Sequence, residues 1–282
     1  MNTDMTGKTV VITGASSGIG AVAARRLAEL GATVVPVGRS PKATAAVAAD
    51  LGVEPLIADY ASLSEVRELA ARLLDRCPSI DVLAHNAGLM TGTRCASVDG
   101  FELTLQVNYL APFLLQHLLH ERLSASRAHI VVTSSMGHWN GRIALDDLNY
   151  ERRRYTPFSA YCDSKLADLV FARETARRTS RTGITAVAFH PGVVNSGLAR
   201  EARGPANLAY NTRLGRALTI DEEKGAEPLV HLAAVADPHS VNGQYFHRLR
   251  PDARTSTAAR EPRLARALWV RTADMLGLPA QS

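Results

Sequence analysis

The sequence predicts an α/β fold: a doubly wound parallel sheet with helices on both faces. Three observations carry this expectation. Short apolar runs of Val, Ile and Ala alternate with longer segments whose apolar residues recur at helical spacing. The strand candidates are nearly continuous in apolar residues rather than alternating, as in strands covered on both sides. A glycine-rich turn also passes straight from the first strand into the first helix.

Taken in order, KTVVIT (8–13) reads as a buried strand and IGAVAARRLAELG as the helix after it, closed by Gly31. ATVVPVG (32–38) is the second strand, an Ala-rich helix follows around 41–51, and VEPLIAD (53–59) is the third strand. Residues 62–76 place Leu, Val and Ala on one helical face, and IDVLAHNAG (80–88) is a strand running into a turn. Residues 101–123 read as one long helix, AHIVVTSS (128–135) as a strand, and 160–179 as a helix with Tyr161 and Lys165 near its start. ITAVAFHPGVV (184–194) is a further strand, 222–236 a helix, GQYFH (243–247) a last short strand, and 262–282 an amphipathic helix with Leu264, Leu268 and Met275 in its apolar set. Without a repeat or low-complexity linker, the expectation is one domain over residues 5–280. Two long connections interrupt the alternation, 136–158 and 196–220. Both are placed at the carboxyl ends of strands, where open α/β sheets bind ligands.

Composition narrows the function. The chain has 282 residues, 46% of them hydrophobic and 21% charged, which suits a packed core and argues against disorder. A net charge of +5 is mild, and the longest basic run, Arg152–Arg153–Arg154, reads as a solvated loop rather than a nucleic-acid arm. Cys77, Cys95 and Cys162 have neither metal-ligand nor disulfide spacing, so no metal is expected and a reducing compartment is. Cys162 reads as a small packed residue. No leader and no run of 18 apolar residues is visible, so the expectation is a cytoplasmic chain with no membrane span.

Two motifs carry chemistry. Tyr161 and Lys165 stand at i and i+4, which on a helix puts phenol and ammonium on one face. An ammonium there favours phenolate, which suits a group that gives a proton to a carbonyl oxygen or takes it back. Thr13-Gly14-Ala15-Ser16-Ser17-Gly18-Ile19-Gly20 ends the first strand. Its glycines let backbone approach a pyrophosphate, and the following helix offers free N–H groups and a positive dipole.

The GxxxGxG spacing together with YxxxK resembles the short-chain dehydrogenase/reductase family. Further matches fall in the same order: Asp59, Asn86-Ala87-Gly88, Asn108, Ser134-Ser135 and Pro191-Gly192-Val193-Val194. AYCDSKLA, HPGVVNSGL, the long stretch from Ser135 to Tyr161 and the ending GQYF…LARALWVRTADMLGL are most similar to its retinol-dehydrogenase-like branch. The resemblance implies a Rossmann-type fold and a catalytic set of Tyr161 as proton donor/acceptor, Lys165 on the nicotinamide ribose, Ser135 on the substrate carbonyl and Asn108 holding a relay water through its backbone. It implies cofactor contacts from Gly14, Ser16, Ser17, Gly18, Ile19 and Gly20, from Asn86, Ala87 and Gly88, and from Pro191 and Gly192. Asp59 would reach the adenine with Tyr60 beside it, and Val194 and Ser196 the carboxamide.

At the end of the second strand, Gly38 stands where NAD-preferring relatives carry an acidic residue. Arg39, with Ser40 as a further donor, suits a 2′-phosphate, so the cofactor expected is NADP(H). His85 replaces an asparagine of the family pattern, a change expected to alter a strand-end contact rather than chemistry; His138 and His190 read as packing. The expected partner is a small-molecule carbonyl or alcohol, lipophilic from the branch and from Leu89, Met90, Trp139 and Leu198, with no nucleic acid. Reduction of a carbon–carbon double bond and a non-catalytic cofactor sensor are the alternatives. Many members form homodimers or homotetramers through helices equivalent to 101–123 and 160–179, whereas the long C-terminal helix favours a monomer.

Overall fold

The computed structural model describes residues 4–194 and 220–279. Seven strands form one parallel sheet: β1 (Thr9–Thr13), β2 (Thr33–Gly38), β3 (Leu56–Ile57), β4 (Val82–His85), β5 (His129–Thr133), β6 (Thr185–His190) and β7 (Tyr245–His247), in the order β3-β2-β1-β4-β5-β6-β7. The chain lays down β1 to β3 outward and then returns to place β4 beside β1. Winding direction therefore reverses between β1 and β4, the switch point at whose carboxyl ends open α/β sheets form a ligand crevice.

Strand alternation decides which helices cover which face. Val10 and Ile12 pack with α1 (Gly18–Glu29) and α8 (Glu222–Ala233), the latter supplying Leu229 and Leu232. Val11 points the other way, into the core formed with α3 (Leu63–Arg76), α5 (Ala111–Leu118) and α7 (Pro157–Arg178). The helix α2 (Pro41–Asp50) flanks β2 and begins where sequence says it should: Ser40 caps it, its Oγ accepting from Ala43 N–H at 3.3 Å, with Pro41 behind. Pro36 sits inside β2 without breaking the ladder. Thr33 N–H donates toward the β1 side, so by alternation Pro36 faces β3, whose pairing begins only at Val37.

Several expected elements are corrected. The single helix over 101–123 is broken into α4 (Leu103–Leu105), a π turn at Gln106–Leu110, α5, and α6 (His120–Ala125). Pro112 supplies the reason, since it has no N–H for the carbonyl of Asn108 four residues back and the ladder slips there. The third strand is only two residues long. The C-terminal helix α9 (Pro262–Met275) stops well before 282, closed by Gly277 at φ +62°. The connection 196–220 lies outside the described residues except for Ile220, whose N–H donates to Val193 O at 2.9 Å.

The helix α9 lies across α5 and α7. Trp269 packs at 4.7 Å from the Phe113 ring and 6.0 Å from Phe171, with the Arg178 guanidinium 4.8 Å from its own ring centre, and Thr272 meets the Tyr109 hydroxyl at 2.7 Å. Truncating Trp269 to Ala should cost about 3 kcal/mol of unfolding free energy, read from denaturant titration.

Three sheet histidines are buried. Burial holds His85 down to about 3, His129 to about 4 and His190 to about 4. Unfolded histidines titrate near 6.5, so between these values the unfolded chain binds more protons, and stability falls as pH drops below about 6.5. Asp168 acts oppositely: burial raises its carboxyl to about 6 against the pull of Lys165, a contribution that is lost as pH rises through that value. For these four groups together the difference is close to two protons, so they should lower unfolding free energy by about 2–3 kcal/mol per unit fall in pH near 5.5, measurable by chemical denaturation at a series of pH values.

Candidate functional site

The carboxyl ends of β1, β4 and β5 are locked together by hydrogen bonds that place the glycine turn. Thr13 Oγ1 accepts from Asn86 N–H at 3.0 Å and Ala87 N–H at 3.1 Å; Asn86 Nδ2 donates to Thr13 O at 3.1 Å, and Thr133 Oγ1 to Asn86 Oδ1 at 3.2 Å. Gly14 then turns at φ +67°, and a Cβ there would lie 2.8 Å from Ala87 Cα. Gly20 packs so closely on Gly14 O and Asn86 that no side chain fits. Gly18 takes φ +58°, and Ser17 precedes α1 with no side-chain cap on the helix amino end. The first-turn N–H groups of α1 thus carry no side-chain cap and stand beside a turn where Gly14 and Gly20 let the Ala87 backbone and the Asn86 side chain approach closely. That is the donor set a pyrophosphate needs, so the residues present fit a dinucleotide.

Beyond β2, Gly38 is buried against Thr44 and Ser16, while Arg39 and Ser40 are exposed. Ser40 Oγ serves as the cap of α2 in addition to any outward role. Asp59 is half-buried; its N–H donates to Glu65 Oε2 at 2.9 Å and its Oδ1 accepts from Ala61 N–H at 2.9 Å. The Tyr60 side chain lies in the core at 5% exposure, where burial raises its hydroxyl far above the ordinary phenol value against a smaller opposing effect of Thr13. Gly192 turns at φ +104° after Pro191, and Val194 bridges to Ile220; Ser196 and Leu198 lie outside the described residues.

Around β5 the structure gathers Asn108, Ser135, Tyr161 and Lys165. Thr156 caps α7, accepting from Ser159 N–H at 3.0 Å, so Tyr161 falls in the second turn and Lys165 one turn further on. Lys165 Nζ is buried, 5.9 Å from the Tyr161 ring centre, and donates to Thr133 O at 3.0 Å and Asp168 Oδ2 at 2.8 Å. Burial opposes its charge, but Asp168 and Tyr161 outweigh burial and hold the ammonium above the usual lysine value. A Cβ on Gly88 would lie 3.5 Å from Lys165 Nζ and 3.4 Å from Asn108 Oδ1; a Cβ on Gly137 would lie 3.5 Å from both Ser135 Oγ and Tyr161 Cε1. The two glycines mark where backbone makes room beside these groups. Ser134 is committed elsewhere, its Oγ donating to Lys165 O at 2.8 Å, whereas Ser135 Oγ caps the turn at Met136–Trp139 and stays half-exposed.

The Asn108 side chain pins the site from behind. Its Oδ1 accepts from Leu89 N–H at 2.8 Å, and its Nδ2 donates to Leu89 O at 3.0 Å and Ser164 Oγ at 2.9 Å. Its carbonyl has no α-helical partner at Pro112. His138 and His190 behave as packing: His138 Nδ1 is 2.7 Å from Ser135 O with its ring 4.9 Å from Tyr245, and the rings of His190 and His247 are 5.3 Å apart. Burial lowers both histidines, so they are neutral at pH 7. His85 packs 6.0 Å from Phe171 with neither ring nitrogen hydrogen-bonded. Cys162 is fully buried, and burial pushes its thiol up to about 12.

Sequence reasoning missed four contributors. Thr13 and Asp168 act through partners visible only in three dimensions, although the i, i+3 spacing of Lys165 and Asp168 was a signal. Asp163 orders the connection 136–158: it accepts from Arg142 N–H and the Tyr150 hydroxyl, each at 2.7 Å, and pairs with Arg153 at 2.7 Å. Arg153 also lies 3.5 Å from the centre of the Tyr150 ring, so this part of the basic run is not a simple solvated loop. Phe158, one turn before Tyr161, is exposed. Among the described residues no group of His, Cys, Asp and Glu could hold a metal ion, and no helix is long and apolar enough to cross a membrane.

Comparison with known proteins agrees with this geometry. A family model described as short chain dehydrogenase matches residues 8–206. Human retinol dehydrogenase 13 is 37% identical, the match covering 98% of this chain and 86% of that protein. A Streptomyces protein assigned as a daunorubicin C-13 ketoreductase is 43% identical, over 96% of this chain and 93% of its own. A Mycobacterium Paratuberculosis protein of uncharacterized function superposes with a TM-score of 0.79 at 33% identity, covering 100% of this chain and 97% of the other. A Beutenbergia cavernae structure assigned as an NAD(P)-dependent gluconate 5-dehydrogenase, with NADP bound at low occupancy, gives 0.68 at 27% identity over 86% and 96% of the two chains. The chain belongs to the short-chain dehydrogenase family, oxidoreductases that act on small molecules with NAD or NADP.

Proposed function

We propose that this protein interconverts a carbonyl and an alcohol on a lipophilic small molecule with NADP(H), in one catalytic domain over residues 5–280. The observation that carries the reading is the buried Lys165 ammonium one turn from the Tyr161 phenol, with Ser135 Oγ and Tyr161 converging on Gly137. The ketoreductase likeness supports the carbonyl half.

When bound, the nicotinamide cofactor supplies or accepts the hydride; this chain supplies position and a proton. The amino end of α1 and the cradle of Gly14, Ser16, Ser17, Gly18, Ile19 and Gly20 would hold the pyrophosphate; Asn86, Ala87 and Gly88 would line the crevice floor, with Pro191, Gly192 and Val194 on its far wall. Ser135 would donate to the carbonyl oxygen and polarise it. Tyr161 would give its phenolic proton to that oxygen, and Lys165 would stabilise the phenolate left behind. The Asn108 carbonyl, released by Pro112, suits a water that returns the proton from solvent toward Lys165. For NADP(H) the support is Arg39 beside Ser40 at the end of β2, with Gly38 where an acidic residue would repel a 2′-phosphate.

Lipophilic specificity rests on exposure. Of the eight large hydrophobic residues that are exposed among those described, Met136, Trp139, Phe158 and Val193 all lie within a few residues of Ser135, Tyr161 or Pro191. Half of these residues therefore stand close in sequence to the candidate catalytic groups, which favours an apolar substrate.

NADPH at 100 times its dissociation constant should raise the melting temperature by roughly 4–8 °C, with NADH giving less at equal concentration. Arg39→Ala should erase that preference. A well-folded protein that responds to neither cofactor would sink the proposal. Against a panel of lipophilic ketones and aldehydes, Tyr161→Phe should lower kcat by about 10²–10⁴-fold while NADPH still stabilises the fold. An alcohol must be the product; a saturated ketone from an enone would point to double-bond reduction instead.

A further inference from the structure

Tyr161, Lys165 and Asp168 stand at i, i+4 and i+7 on α7, a single stripe on one helix face. Both charges are almost fully withdrawn from water, Lys165 at 4% exposure and Asp168 at 2%. The ammonium directs one N–H to Asp168 Oδ2 at 2.8 Å and another to Thr133 O at 3.0 Å, which leaves one for the crevice beside Gly88. We propose that Asp168 is a positioning residue: its carboxylate pins the Lys165 ammonium to the end of β5 and offsets part of that ammonium's pull on the Tyr161 phenol. The catalytic meaning of this arrangement rests on the function proposed above; the electrostatic claim does not.

The surroundings leave this role to Asp168. From the π turn, Tyr109 faces it, but burial raises that phenol and its hydroxyl is bonded to Thr272. From β7, Tyr245 faces Tyr161, and burial raises it as well. His85 at the end of β4 and His138 after β5 are held neutral by burial. On α7 itself, Asp163 is committed to Arg153 and Tyr150, Glu174 to Arg177 and Arg178, and Arg173 to Thr255 and Ala259. Burial raises Asp168 to about 6 against the pull of Lys165, so it is ionised wherever a phenol titrates.

A carboxylate two helical turns from the phenol, in an interior that screens poorly, is expected to move a phenol's titration by about one pH unit. The test is a pH titration of the chain labelled with [13Cζ]tyrosine, with Tyr161→Phe identifying the Tyr161 resonance. In Asp168→Asn the Tyr161 titration should move down by about one unit. Asp168→Ser leaves space for a water on Nζ and should show the same shift if the Asn variant does not fold. Asp168→Glu keeps the charge and should stay within about 0.3 units of wild type. An unchanged or higher value in the neutral variants overturns the inference. The pH profile of alcohol oxidation should move by the same amount as the resonance. A resonance that moves while Tyr161→Phe remains fully active would sink the reductase reading and leave the Asp168 inference standing.

Discussion

The burial of α7 is the constraint from which the rest of the site follows. This helix is enclosed along most of its length, yet its enclosed positions include Asp163, Ser164, Lys165, Asp168 and Glu174. A polar group in such a place must find a partner or cost several kcal/mol, so each becomes an instruction to a neighbouring element. Asp163 gathers Arg142, Tyr150 and Arg153 and orders the long connection ahead of the helix. Ser164 accepts from Asn108 and bonds back to the carbonyl of Tyr161, tying the π turn to α7. Lys165 reaches the end of β5, and Glu174 collects two arginines at the far end. The helix is thus held at a fixed depth and rotation by its polar residues, and Tyr161 inherits that precision.

The crevice depends on a second constraint, the approach of backbone to backbone at the point where the sheet reverses direction. Thr13 accepts two N–H groups from the strand beyond β1, and this draws Asn86 and Ala87 against Gly14. Only glycine tolerates that distance. What the turn gains is close backbone approach at the uncapped amino end of a helix, which is a chemical surface as well as a steric one. The two constraints meet at Gly88, whose missing side chain leaves Lys165 and Asn108 open to the same crevice.

The sequence was informative wherever the physics is local. Helical and strand periodicity locate each described strand, and the glycine spacing and the i, i+4 pair mark the two halves of the candidate site. What separates Ser134 from Ser135 is visible only in space: the Ser134 hydroxyl donates to the Lys165 carbonyl, while Ser135 Oγ caps the turn that follows. The π turn was hidden by apolar residues that fit an uninterrupted helix, with Pro112 as the sole local hint. Tyr60 shows the opposite limit: it adjoins the half-buried Asp59 in sequence, yet its own side chain is buried in the core, which adjacency does not reveal. Thr13, Asp163 and Asp168 matter through partners 13 to 74 positions away or through burial, neither of which a linear pattern reveals.

The position of α9 completes the enclosure of α7. Here Trp269 already fills the angle between Phe113 and Phe171, and Thr272 engages Tyr109 from the same side. That face of α5 and α7 is therefore covered by the chain's own C-terminal helix. Displacing α9 would expose an aromatic cluster and strand the Tyr109 hydroxyl. The same packing anchors α7 from outside, so the stability of α9 and the precision with which Tyr161 is held become one question rather than two.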